Sequence, residues 1–523
     1  MRPEVPVDAP AGVPAGLLEA FWDYDDALLT NDVARLDDAF APGDNTLRGD
    51  GVDIALGWEA ISRFRAARSV IPTRRVTDVH VRVHTPDLAT VVATVVGPTG
   101  SKGMQTQVWT RQPDRWRVVV AHVSAPERAV DRATWRAVGT PLVSATASGP
   151  LDGMTVAVKD LFAVAGHSIG GGVPEFAEQS APQAANARVV DLLLAAGASV
   201  TGIAATDQFA YSIAGMNTRT GTPPNAVDPS AIPGGSSSGP ASATARGLVT
   251  FGLGTDTAGS VRVPSAYQGL WGIRTTHGLV STDGVLPLAE RFDAVGWMAR
   301  DAATLTAVTD AVVQQVNATE LSDALVVVPA LTALASDETA SAVRRTADAL
   351  GAREELLGSG TDPALDPEAW FAAFRTVQAF QAWRNHGAWI EAHPGTLGAD
   401  VAGRFADAAR VTASEAAVAT EVVEAARAAI RHWLGNRILV LPTVADRAPR
   451  LDADAAAIDR HRSATLRLTS LASVAGLPAV AAPIGGPVPG SAPHSVCFVG
   501  PAGSDAALVR TVARLAGSVV VGY

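Results

Sequence analysis

Only two lysines, Lys102 and Lys159, stand among the 41 basic residues of this 523-residue chain; the rest are arginines. Arginine keeps its proton in a protein, whereas a desolvated lysine can lose it. Lys102, in GPTGSKGMQ between two strand-like runs, reads as a turn residue. Lys159 lies inside the apolar strand pattern MTVAVKDLF, where a charge is costly unless it is paired or neutralised. A buried neutral amine is a general base. Two Gly/Ser-rich segments follow it, IPGGSSSGPASATARG (232–247) and FGLGTDTAGSVRVPSA (251–266). In the second, Ser260 follows Thr257-Ala258-Gly259, small residues that let successive backbone N–H groups turn inward and hold an oxyanion. A serine hydroxyl is a weak nucleophile and needs an adjacent base. Lys159 can be that base and Ser236 can relay the proton, since Ser–Lys arrangements are variants of triad logic.

Other readings of these segments fit less well. A flexible GGSSSG linker would not lie between apolar strand and helix patterns inside a domain. GLGTDTAG lacks the spacing of a dinucleotide loop. Gly235 to Gly239 matches the G-x-S-x-G elbow, but that motif needs a strand before it and the approach here is the loop NAVDPSAIP.

The elements that must position these residues fall into two textures. Up to about residue 126, helical patterns (LLEAFWDYDDALL, VARLDDAF, WEAISRFRAAR) precede period-2 strands (RVTDVHVRVH, LATVVATVVG, MQTQVWTRQ, RWRVVVAHVSA). That order predicts a curved antiparallel sheet wrapped on helices, with Asn31 and Asp32 as caps between the first two helices. PERAVDRATWRAV reads as a short helix leading into a Gly/Ser/Ala stretch at 139–150. Beyond 151, strand-like runs (MTVAVKD, ASVTGIA, VTFGLGT, ILVLPT, AVAAPI) alternate with helices, the pattern of a large α/β domain. The divisions are a tail at 1–13, a small domain at 14–126, a linker at 127–150 and a catalytic domain at 151–523.

The run from AVKDLF through PGGSSSG to GTDTAGSVRVPSAYQGLWGIRTTHG closely resembles the amidase signature family, over roughly 140–520. The resemblance implies an α/β/α sandwich around a large mixed sheet. It implies a Ser–cis-Ser–Lys triad of Ser260 as nucleophile, Ser236 and Lys159. It also implies an oxyanion hole from Thr257, Ala258 and Gly259 with Ser260, and Asp256 and Arg262 as supports of the turn. The chain departs from the family in having Ala258 for glycine, tolerable unless φ is positive there, and Ser238 for glycine in GGSSSG. The expected activity is cleavage of a small aryl or alkyl carboxylic amide, with carbamate, ester and acyl-urea or allophanate hydrolysis as alternatives. GGSSSG, SVRVPSAYQG and FDAVGWMARDAATL look most like indole-3-acetamide-type amidases. Candidate substrate contacts are Phe209, Tyr211, Gly235, Ser237 and Thr443, with Leu161 and Phe162 as core that desolvates Lys159.

FWDYDDALLTNDVARLDDAF, GWEAISRFRAARSV and QTQVWTRQPDRWRVVVAHVSA resemble the AtzH-like domain, of the cone-shaped nuclear-transport-factor-2-like α+β fold. Arg48, Arg65, Arg68, Gln107 and His122 are candidates to line a pocket there for a small anion, or they are solvated or ion-paired. Such domains often dimerise, so a homodimer is expected. The balance of 41 basic and 52 acidic residues, a net charge of −11, argues against nucleic-acid or anionic-membrane partners. No apolar run reaches the roughly 18–20 residues that span a bilayer. MRPEVPVDAPAGVPAG lacks the apolar core of a signal peptide, so a cytoplasmic location is expected. The single cysteine, Cys497, sits in the strand-like SVCFVG and excludes thiolate zinc sites. No metal or organic cofactor is implied.

Overall fold

A computed structural model describes residues 5–49, 54–66, 74–96, 102–124, 131–313, 319–357, 362–484 and 494–519. The chain divides between residues 130 and 131 into two units. In the first, helices Leu17–Thr30, Val33–Asp38 and Trp58–Ala66 pack on a 7-stranded sheet. Asp32 caps the second helix by accepting from the Arg35 N–H at 3.1 Å. Strand Leu88–Val96 alternates buried and partly exposed residues along its length. Its inward positions join Phe21, Tyr24, Leu36, Phe40 and Trp109 in one core. Val7–Asp8 pairs with Val79–His80, so sheet structure reaches into the stretch read as a tail. Lys102 is the first residue of strand Lys102–Arg111 rather than a turn residue.

The second unit is built on an 11-stranded mixed sheet among the described residues. Five neighbouring strands run from its middle towards one edge in the order Trp271–Arg274, Ala294–Ala299, Phe251–Asp256, Thr155–Lys159, Ser199–Ala204. Phe251–Asp256 and Ser199–Ala204 flank Thr155–Lys159 in parallel. The strands are apolar on both sides because both faces are covered. Leu439 and Ala479 join one core with the helices Pro367–Ala392, Ala413–Leu434 and Ala455–Ala475, while Ile438, Val440 and Val480 join another with Arg188–Ala195, Ala302–Val312 and Asp505–Val519. The result is the expected α/β/α sandwich.

The 127–150 linker and its short helix are corrected. Residues 125–130 lie outside the described residues, and Trp135–Val143 is a strand pairing antiparallel with Ser199–Ala204 at the sheet edge. Trp135 is buried with Ala157, Ala204, Ala243 and Val249. Ladder bonds and this anchor outweigh a weak local helical pattern, and Pro141 is tolerated because the strand is an edge.

Candidate active site

Thr155–Lys159 ends with Lys159 fully buried between two neighbouring strands. Its Nζ is 2.8 Å from Ser236 Oγ and 2.8 Å from Thr255 Oγ1. Burial pushes the lysine pKa down to about 7, against upward pulls from Asp207, Asp293 and Asp256. A substantial neutral fraction therefore exists at neutral pH. Leu161 and Phe162 are buried just beyond it.

Ser236 enters through a cis Gly235–Ser236 peptide. Its carbonyl accepts from Thr206 Oγ1 at 2.8 Å. Gly235 cannot carry a side chain: a Cβ would fall 2.6 Å from Asp207 Oδ2. Asp207 in turn accepts from the Gly215 N–H at 2.9 Å and from Ser238 Oγ at 3.3 Å. The Ser238 that replaces a glycine thus secures this loop. Ser237 donates its N–H to the Ser260 carbonyl at 3.2 Å and its hydroxyl to the Thr255 carbonyl at 3.3 Å. The Ser236 loop and the Ser260 turn are bound directly to each other.

The turn itself is organised by Asp256. The carboxylate accepts from the N–H groups of Gly259 (2.9 Å), Val261 (3.2 Å) and Arg262 (3.3 Å). It also accepts from Arg262 Nε at 3.0 Å and Arg274 Nη1 at 3.2 Å. Both arginines are buried, and their charges hold Asp256 well below the usual carboxylate range despite desolvation. Gly259 has φ +119°, which favours glycine; Ala258 does not adopt a positive φ, so the alanine carries no left-handed strain. The Gly259 N–H is occupied by Asp256, which corrects its reading as an oxyanion donor. The N–H groups of Thr257, Ala258 and Ser260 have no hydrogen-bond partner among the described residues.

Of the other sequence candidates, Phe209 packs into an aromatic cluster. It stacks on His386 with 4.4 Å between centroids and meets Phe176 at 5.2 Å and Trp389 at 5.6 Å. Tyr211 is buried edge-on to Phe405. Thr443 is buried and bonded to Ser495 at 2.9 Å. Cys497 is buried in strand His494–Val499, its thiol pushed up to about 11. Asp160 binds Arg136 at 2.8 Å. Sequence reasoning missed Thr255, Arg274, Asp207 and Asp293. Asp293 accepts from Thr257 Oγ1 at 2.6 Å although it lies 36 positions away, and no local pattern announces such a contact. Thr255 was legible in principle, because residues 253, 255 and 257 share a strand face.

In the first unit, Arg48 lies over the Phe64 ring at 4.2 Å, and Arg65 over Phe40 at 4.1 Å. Arg65 also reaches Asp37 Oδ1 at 3.2 Å. Gln107 is buried and accepts from Trp109 Nε1 at 3.2 Å. His122 is exposed while its neighbour Ala121 faces the core, so it leaves the predicted pocket set. Arg68 lies outside the described residues. A cleft of ≈670 Å³ elsewhere in this unit is lined by Asp23, Arg35, Asp38 and Arg115, whose charges already pair with one another.

A buried lysine–serine pair beside a turn with free N–H donors, on a mixed sheet covered by helices, is an arrangement able to carry out acyl transfer. Comparisons with known proteins agree. The Amidase family model matches residues 119–344 and the AtzH-like model residues 6–128. Amidase 1 of Oryza sativa subsp. japonica is 35% identical over 398 residues, 70% of this chain and 90% of that protein. Amidase 1 of Arabidopsis thaliana is 35% identical over 413 residues, 71% of this chain and 95% of its own length. A crystal structure of an amidase, 29% identical, superposes with a TM-score of 0.62 over 71% of this chain and 85% of that one. A structure described with the evolutionary origins of an s-triazine catabolic enzyme, 26% identical, gives 0.64 over the same shares. The chain belongs to the amidase family and carries an AtzH-like N-terminal region. It is a hydrolase acting on amide C–N bonds.

Proposed function

We propose that the chain cleaves a small aryl or alkyl carboxylic amide to acid plus ammonia or amine through an acyl-enzyme on Ser260. The observation that carries this reading is Lys159, wholly buried, within hydrogen-bond distance of Ser236 and with its pKa brought down to about 7. Neutral Lys159 takes the proton of Ser236 as Ser236 takes that of Ser260. Ser260 Oγ bonds to the carbonyl carbon, and the N–H groups of Thr257, Ala258 and Ser260 hold the oxyanion. The relay returns the proton to nitrogen as the C–N bond breaks. Water then attacks the ester, gives its proton to the same relay, and releases the acid. Asp256 and Arg262 shape the turn, and Gly235 and Ser237 hold the loop carrying Ser236. Tyr211, Phe209 and Thr443 stay as proposed contributors to the acyl side.

A carbamate, ester or acyl-urea substrate would use the same residues, and the AtzH-like region favours testing them. The test is mass-spectrometric detection of turnover on indole-3-acetamide, phenylacetamide, a fatty amide, allophanate and an aryl carbamate, with Ser260→Ala beside each. Arylacetamide turnover abolished in the variant is the expected result. Turnover of allophanate or carbamate alone would keep the triad and move the substrate class. Turnover surviving in Ser260→Ala would overturn the nucleophile assignment.

We also infer a catalytic domain that starts near residue 131, a homodimer and a cytoplasmic location. The last rests on one buried cysteine in a chain with no use for an oxidising compartment. Among the described residues, no helix is long and apolar enough to cross a membrane.

A further inference from the structure

Among the described residues Lys159 Nζ has two hydrogen-bond partners, Ser236 Oγ and Thr255 Oγ1, both at 2.8 Å. The proton relay uses the first and leaves the second without a task. Thr255 is 5% exposed and next to last on strand Phe251–Asp256, which runs parallel beside Thr155–Lys159. It pairs with Val295 on the neighbouring strand Ala294–Ala299, and its carbonyl accepts from Ser237 Oγ at 3.3 Å. Ser237 follows Ser236 in the chain, so the hydroxyls of Thr255 and Ser236 are fixed relative to each other. A β-branched side chain is also stiff at χ1.

A neutral primary amine has two N–H donors and one lone pair, whereas an ammonium has three N–H donors. For Lys159 to take the Ser236 proton, the lone pair must point at Ser236 Oγ while an N–H points elsewhere. Thr255 Oγ1 is placed to accept that N–H, and it accepts equally well once the amine is charged. At Ser236 a lone pair is then exchanged for an N–H while the bond to Thr255 stays. The carboxylates around Lys159 act on it only as charges. Asp207, after strand Ser199–Ala204, is held by the Gly215 N–H and Ser238 Oγ. Asp256 is held by Arg262 and Arg274. Asp293 is held by Thr257 Oγ1 and the N–H groups of Leu288 and Ala289. Asp160, the next residue in the chain, binds Arg136.

Resting on the acyl-enzyme reading above, we propose that Thr255 is a positioning residue. Its hydroxyl holds the Lys159 amine with the lone pair towards Ser236 and stabilises the ammonium once the proton has arrived. Without that acceptor, one buried N–H is unpaired and the lone pair is free to turn away from Ser236.

The test compares two variants of the full chain on the amide turned over best. Thr255→Val keeps the branched shape and loses the hydroxyl; Thr255→Ser keeps the hydroxyl. The valine variant should lose about ten- to a hundredfold in kcat on the high-pH plateau, the effect of one hydrogen bond to a charged group. Its KM should change by less than about threefold, because the bond matters to the proton transfer and not to substrate binding. Removing an acceptor disfavours the ammonium, so the acid limb of kcat/KM should move to lower pH by about one unit. The carboxylates named above are present in both variants, so the shift reports the hydroxyl alone. The serine variant should keep kcat within about threefold and its acid limb in place. Damage to the strand would lower the active fraction and leave the limb where it was. A valine variant with undiminished kcat, an unmoved acid limb, or a serine variant as slow as the valine would overturn the proposal. The wild type separates the two levels. A wild-type profile with no acid limb near pH 7 contradicts Lys159 as the base, whereas a limb that is present and unmoved by valine contradicts only the role of Thr255.

Discussion

Thr255 and Asp256 are neighbours at the end of one strand, yet the regions they face treat buried charge in opposite ways. On the Asp256 side, one carboxylate meets two buried guanidiniums and three backbone N–H groups, so both cations share one anion at hydrogen-bond distance. On the Thr255 side, Lys159 meets two hydroxyls and its carboxylate neighbours act only at a distance. A cluster in which ion pairs and backbone bonds converge on one carboxylate fixes shape and holds its protons over the working pH range. A buried cation given only hydroxyls is free to shed its proton, and that makes it usable as a base. In the proposed mechanism the difference puts rigidity on one face of the strand and chemistry on the other.

The comparison breaks most visibly at the lysine. Lys159→Arg and Lys159→Ala are both expected to lower kcat/KM by about a thousandfold, within the usual range for a general base. An arginine variant that keeps most activity would show that only positive charge is needed. On the opposite face, Asp256→Asn leaves two buried guanidiniums short of a countercharge and should cost about 3–5 kcal/mol of stability, read by denaturant unfolding. A loss below ~1 kcal/mol would mean the cluster is not what holds the turn.

Stability separates the two faces further, because their signs are opposed. Lys159 binds its proton less well folded than unfolded, so wild-type stability rises with pH between about 7 and the ordinary lysine value. Lys159→Met should therefore stabilise the fold at pH 6 by about 1–2 kcal/mol, an advantage that shrinks as pH climbs above 7. A destabilised methionine variant would contradict the unpaired reading. The smallest effect is in the rate profile: kcat/KM should fall about tenfold per unit as pH drops below 7 and flatten above it. A flat profile through pH 6 to 8 would place the base elsewhere.

Much of this was legible in the chain. The scarcity of lysine, the glycine-rich turn before Ser260 and the serine loop point to the proposed reacting groups without coordinates. Strand alternation and capping at Asp32 predict the N-terminal unit. What stayed hidden depends on distance in sequence or on hydrogen-bond direction. Trp135–Val143 read as a boundary because its pairing partner lies about 60 residues further on. Asp293 carries no motif of its own. Gly259 looked like an oxyanion donor because spacing reports that an N–H is present, not that Asp256 has taken it. Phe209 is a proposed contributor to the acyl side, and only the helices beyond residue 367 show that it also packs among Trp389, His386 and Phe405.

The account rests on a covalent bond to Ser260, and trapping that bond tests it most directly. Protein mixed with an activated ester of the preferred acid, quenched in acid within milliseconds to seconds and digested, should carry the acyl mass on the peptide containing Ser260. The label should decay at the rate of turnover, be absent in Ser260→Ala, and form slowly in Lys159→Arg. Turnover with no label on that serine, or with the label on another residue, would contradict the account.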